Sequence, residues 1–238
     1  MARSIPADRF RRLVDVATRT FITNGYRLTQ MADVADALGV AKGTLYGYVE
    51  SKDALFDAVV RHADGHVTLP RVDELPLRTP APGATVAFVQ ERLAGETADL
   101  VLLRVASGDL VIDDPRDELA AVLSDLYRRL ARNRLVLKLV DRCAAEYPEL
   151  GGVWFAEGRW AQHQLLVHVI ARGIASDRYR PMASPEVVAR TVLETVAFWA
   201  MHRHFDPSPQ QVTDDEAEQA VVDFVSHALL LITPRRPR

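Results

Sequence analysis

The sequence predicts an all-α protein: an N-terminal three-helix helix-turn-helix domain followed by a larger helical domain. Three observations carry this. Apolar residues recur at spacings of three and four through most of the chain, with no convincing two-residue alternation. Residues 29–55 place two short helical patterns around a Leu38-Gly39-Val40 turn. Between Gly65 and Gly83, the prolines at 70, 76, 80 and 82 end all periodicity and mark a boundary.

The elements follow in order. Phe10, Leu13, Val14, Ala17 and Phe21 share one face of a first helix that Asn24-Gly25 should stop. Thr29 is the expected N-cap of a second helix, with Met31, Val34, Ala35 and Leu38 turned inward. Gly39 suits the left-handed residue that ends it. A third helix is expected from about Ala41 to Tyr48, with Leu45 and Val49 buried. Ser51 caps a fourth, which buries Leu55, Phe56, Val59 and Val60. Helical patterns then resume at roughly 84–107, 116–146, 149–175, 185–205 and 214–232. The expected organisation is a DNA-binding domain over 1–64, a Pro-rich connector over 65–83, a helical domain over 84–232 and a basic tail over 233–238.

Composition narrows the function classes. The chain has 238 residues with 48% hydrophobic and 26% charged residues, ordinary for a globular protein. No stretch approaches the roughly 20 apolar residues of a membrane span, and the N-terminus lacks a signal-peptide core, so a cytoplasmic location without membrane partners is expected. Cys143 is the only cysteine, which excludes an intrachain disulfide and a multi-Cys metal site. His163 and His168 diverge on a helix, as do His202 and His204, so no metal site is expected. No phosphate-cradling glycine loop, nucleophile motif or acid–base constellation is present. The expectation is therefore no catalytic residue, no cofactor and no enzyme.

Net charge is −3, yet residues 1–27 carry six arginines (Arg3, Arg9, Arg11, Arg12, Arg19, Arg27) against Asp8 and Asp15, a local balance of +4. Local charge is what a phosphate backbone feels within a Debye length of about 8 Å. On the third helix, Lys42 with Tyr46 and Thr44 with Tyr48 project away from the Leu45 side. Lys42 and Thr44 lie near the helix start, where recognition helices reach base edges. Gly43 lets the backbone approach closely, and Tyr46 and Tyr48 are phosphate donors that position without reading sequence. Lys52 stands in the first turn of the fourth helix, unfavourable for a cation unless an anion shares the site. Backbone N–H groups near Thr29 and Gln30 are candidates for a second phosphate.

At these residues the chain resembles the TetR (tetracycline-repressor-like) family of bacterial transcription regulators, from about Phe10 to Val60. The resemblance is carried by Phe21…Asn24-Gly25-Tyr26, by Thr29-Gln30-Met31-Ala32-Asp33-Val34-Ala35, by Leu38-Gly39-Val40, by Lys42-Gly43-Thr44-Leu45-Tyr46 and by Ser51-Lys52-Asp53-Ala54-Leu55. It implies that Thr29, Gln30, Lys42, Gly43, Thr44, Tyr46, Tyr48 and Lys52 face double-stranded DNA, with Tyr46 and Lys52 on phosphates. Ala41 departs from the family by replacing a capping Ser, and Gly47 by replacing a bulkier residue.

The resemblance further implies a helical ligand-binding and dimerisation domain. Stripes of Val188, Val192, Thr195 and Trp199, and of Ala217, Val221, Phe224, Val225, Ala228 and Ile232, equally suit intramolecular core or dimerisation, and the resemblance favours a homodimeric four-helix bundle built from the two C-terminal helices. Cys143, Tyr147, Trp154, Phe155, Trp160 and Phe198 are candidates for lining a small-molecule pocket, with ordinary core as the alternative for each. The expected function is a ligand-responsive regulator, a repressor released from a palindromic operator by an unidentified small-molecule effector. The alternative is a small-molecule-binding or protein-interaction module that keeps the scaffold without DNA function.

Overall fold

The computed structural model describes residues 7–231 and is helical, with no strand among those residues beyond two isolated bridges. The helices are α1 (Ala7–Leu28), α2 (Met31–Leu38), α3 (Lys42–Leu45), α4 (Lys52–His62), α5 (Ala84–Ala98), α6 (Val101–Ser107), α7 (Pro115–Arg132), α8 (Arg134–Ala144), α9 (Pro148–Gly151), α10 (Trp160–Ala175), α11 (Pro185–Ala200) and α12 (Asp214–Leu229). A π-helical stretch, Gly152–Arg159, precedes α10. Ile232 and the tail 233–238 lie outside the described residues.

Several helices are shorter than their periodicity suggests, and the breaks at Leu100 and Asn133 coincide with polar contacts. The run 84–107 divides because the backbone opens at Leu100; the Asp125 carboxylate accepts from Val101 N–H at 2.9 Å, while Arg129 donates to the Glu96 and Asp99 carbonyls. The run 116–146 divides at Asn133, where Asp64 accepts from Leu135 and Val136 N–H at 2.9 and 3.0 Å. A carboxylate 71 residues upstream thus caps α8. The second helix starts after Gln30, whose N–H is held by Asp33, so Gln30 rather than Thr29 is the cap residue. The third helix, expected over 41–48, is one turn long and unwinds at Tyr46. α11 and α12 end at Ala200 and Leu229, short of the expected 205 and 232.

Two compact units result: residues 1–93 with 133–156, and residues 94–132 with 157–238. These cross the sequence boundaries at 64 and 84. The Pro-rich segment is zipped onto the first unit: Leu77 donates to Tyr48 O at 2.8 Å, Glu50 donates back to Leu77 O at 2.9 Å, and Thr79 N–H reaches the Glu50 carboxylate at 2.9 Å. α8 also belongs to the first unit, packed on α1 and α4.

The first unit's core contains Phe10, Leu13, Val14, Ala17, Phe21, Leu45, Leu55, Phe56, Val59 and Val60, all nearly solvent-free. Burying each large apolar side chain contributes about 1.5–3 kcal/mol. The second unit packs α6, α7, α10, α11 and α12 around Leu119, Leu123, Tyr127, Ile170, Val196 and Val225. There Gly173 lies directly beneath the Tyr179 ring, and Tyr179 donates to the buried Glu118 at 2.8 Å.

α8 clasps the end of α1. Arg142 donates to Asn24 O at 3.0 Å and to Glu146 at 2.7 Å, and Glu146 accepts from Arg27 N–H at 2.8 Å. The Arg27 N–H, and then Arg142, hold the Glu146 carboxyl below its ordinary value near 4.5. A depressed acid stabilises the fold above its unfolded value and loses that contribution as pH falls. Urea midpoints of the wild type should therefore drop below about pH 4.5 by more than those of Glu146→Gln; parallel curves would remove Glu146 from the clasp.

Candidate DNA-binding site

The helix-turn-helix is built from backbone requirements as well as its core. Gly39 takes φ +75°, the left-handed region, which lets Val40 N–H reach Ala35 O at 3.0 Å and reverses the chain. Ala41 provides no side-chain cap; Thr44 N–H donates to the Ala41 carbonyl at 2.8 Å instead. Leu45 anchors the short helix in the core with no exposed surface. Ala41, Lys42, Gly43, Thr44, Tyr46 and Gly47 all remain exposed around it. Ser51 accepts from Ala54 N–H at 3.1 Å and starts α4 as expected.

The eight sequence candidates divide. Gln30, Lys42, Gly43, Thr44 and Tyr46 are solvent-facing, and Tyr46 is 44% exposed. Thr29 and Tyr48 are not. Thr29 is 1% exposed, and its hydroxyl donates to Gly25 O at 2.7 Å, which joins α1 to α2. Tyr48 is 5% exposed and packs 6.5 Å from the Phe10 ring. The reason is the early end of α3: past Leu45 the chain turns, so the 100° step that paired Thr44 with Tyr48 no longer applies.

Lys52 is half-buried rather than free for a phosphate. Its ammonium donates to Tyr26 O at 2.9 Å and Arg27 O at 3.4 Å, and lies 4.5 Å from the Tyr26 ring centroid. A cation at the carbonyl end of α1 is favourable, as is one over an aromatic face. Tyr26 also donates to Asp53, and burial raises the Tyr26 hydroxyl well above the usual phenol range. Lys52 thus fastens the start of α4 to the end of α1.

The six pocket candidates occupy different environments. Cys143 and Trp154 belong to the first unit's core, and half-buried Tyr147 packs against it. Tyr147 lies edge-on to Tyr26 and stacked on Phe56. The Trp154 indole donates to Asp141 at 3.1 Å, and burial pushes the Cys143 thiol up to about 12, leaving it protonated at neutral pH. Phe155 and Trp160 are surface residues, 40% and 60% exposed, while half-buried Phe198 belongs to the second unit.

Sequence reasoning missed three supporting residues, Asp64, Arg142 and Glu146. Their partners lie 71 to 119 positions away, so spacing carries no signal for them. Burial raises the Asp64 carboxyl, against the two N–H groups that lower it.

Residues 13–59 match the family model for bacterial regulatory proteins of the tetR family. The HTH-type transcriptional repressor KstR2 of Rhodococcus jostii (strain RHA1) is 39% identical over 49 residues, 21% of this chain and 24% of that protein. The match therefore spans about a quarter of that relative. KstR2 of Mycolicibacterium smegmatis is 24% identical over 205 residues, 86% of this chain and 82% of that one. Among solved structures, the ketosteroid transcriptional regulator KstR2 of Mycobacterium tuberculosis shares the fold, with a TM-score of 0.58 and 18% identity over 94% of this chain and 95% of that chain. With an exposed recognition turn held on a buried three-helix core, residues 13–59 form a helix-turn-helix domain like that of the tetR family of bacterial regulatory proteins.

Proposed function

We propose that this protein is a ligand-responsive, DNA-binding transcriptional repressor. The observation that carries the reading is the exposed sequence Ala41-Lys42-Gly43-Thr44 with Tyr46, mounted on the fully buried Leu45. Lys42 and Thr44 reach base edges in the major groove, Gly43 admits the close approach of a base or sugar, and Tyr46 donates to a phosphate. Gln30, exposed at the start of α2, supplies a further backbone contact. Likeness to a curated repressor over most of the chain supports repression as the outcome.

Homodimerisation through α11 and α12 is part of this reading. Val192, Ala217, Val221 and Val225 of the expected stripes are core of their own unit, but Phe224 is 67% and Val187 is 65% exposed on the same helices. Exposed apolar side chains on both helices support an interface there. A two-fold dimer would set recognition helices about 34–36 Å apart on a palindrome. A small-molecule effector would release it by favouring another spacing, which requires differential affinity for the two states.

A gel-shift series with DNA flanking the gene tests the reading. The expected result is a salt-sensitive, sequence-dependent shift from a dimer. Absence of such a shift at low salt overturns it and favours an interaction module without DNA function.

A further inference from the structure

The structure sorts the N-terminal arginines. Arg11 turns inward and donates to the His62 carbonyl at 2.8 Å. Arg27 ends α1, with its main-chain N–H held by Glu146. Arg9 and Arg12 differ: both are exposed, one turn apart on α1, and have no hydrogen-bond or ion-pair partner among the described residues. Together with Leu38, Gly39, Val40, Thr44 and Tyr48 they line a groove of about 410 Å³. Among the described residues no carboxylate lines it.

The lining selects its occupant. Leu38 and Val40 contribute apolar surface to the groove, while Arg9 and Arg12 are exposed and have no ion-pair partner among the described residues. Each guanidinium fork matches the paired oxygens of one phosphodiester, so the two arginines suit two phosphates. Thr44, a base-facing candidate on α3, shares the same rim. A helix seated in a major groove about 12 Å wide is flanked by phosphates, so cations beside that helix meet the backbone rather than base edges.

We propose that Arg9 and Arg12 form a phosphate clamp on α1, which extends the DNA footprint from the recognition turn to the first helix. The clamp rests on the DNA-binding function proposed above. It positions the protein without reading sequence, and it assigns to two arginines the role that local charge alone distributed over six.

The test compares wild type, the double variant Arg9→Gln/Arg12→Gln and Arg19→Gln, an exposed control of equal charge change per site two turns beyond Arg12. Each is titrated with a duplex that the wild type has selected from a random pool, and with a scrambled version of it, across a salt series. At about 0.9 in the log–log salt slope per phosphate lost, the double variant should be shallower by about 1.8. Raising salt from about 50 to 200 mM would then cost it about twelvefold less affinity than it costs the wild type. Both duplexes should weaken by similar factors, and Arg19→Gln should keep the wild-type slope. An unchanged slope in the double variant, or an equal fall in Arg19→Gln, overturns the clamp while leaving DNA binding intact. A wild type with no salt-sensitive binding overturns the DNA reading itself, and the clamp with it. Circular dichroism of each variant confirms that these surface changes leave the helices formed.

Discussion

Replacing Gly25 with alanine is expected to destabilise the protein by about 3 kcal/mol, the combined size of backbone strain and overpacking. Gly25 holds φ +83°, which side-chain-bearing residues rarely adopt. A Cβ there would also meet both Glu146 carboxylate oxygens and the Arg142 guanidinium, the two groups that clasp α1 to α8. No rotation of a single flexible tip relieves both, because Glu146 is tied to Arg27 N–H and Arg142 to Asn24 O. At about 2–4 °C per kcal/mol for a chain of this size, the melting temperature should fall by about 6–12 °C. Operator affinity should fall with it, since Gly25 O also receives the Thr29 hydroxyl that joins α1 to α2. A loss of under about 2 °C would show that the clasp yields and that the glycine is dispensable.

The second large effect is on sequence discrimination. Lys42→Ala and Thr44→Ala should each change the preference between selected and mismatched duplexes by about 1–3 kcal/mol, roughly five- to 150-fold. Lys52→Ala should behave differently. It removes a cap on the α1 carbonyls, so it should lower the melting temperature and weaken all sequences alike. Competition binding with a panel of singly mismatched duplexes, alongside thermal unfolding, separates the two behaviours. Equal loss of discrimination in all three variants would show that the base-reading face is wrongly assigned.

The contrast between Lys42 and Lys52 marks how far the sequence carries. Both are lysines near helix starts, and both read as DNA contacts. Lys42 has an exposed neighbourhood, whereas Lys52 meets the carbonyls of Tyr26 and Arg27, which only the folded chain brings to it. Thr29 and Tyr48 show the same limit. Their residue types suit DNA contact, but the length of α3 and the path of α1 turn both inward. The pocket candidates differ in burial for a related reason: a large aromatic residue looks the same in sequence whether it fills a core, as Trp154 does, or lies on the surface, as Trp160 does.

What the sequence by itself determined is local. The apolar stripe of α1, the left-handed turn at Gly39, the Ser51 cap and the exposed Lys42-Gly43-Thr44 start of α3 all follow from periodicity and backbone chemistry within a few residues. Together they suffice for the fold class and for the DNA-binding reading. The tertiary structure alone decided which cations are spent inside the protein and which stay outward. It turned Arg11 and Lys52 onto carbonyls, left Arg9 and Arg12 without a partner among the described residues beside Thr44, and set Asp64 on the N-terminus of α8. Those outcomes depend on groups far apart in the chain, where helix ends with unmet hydrogen bonds draw in whichever charge the packing places nearby.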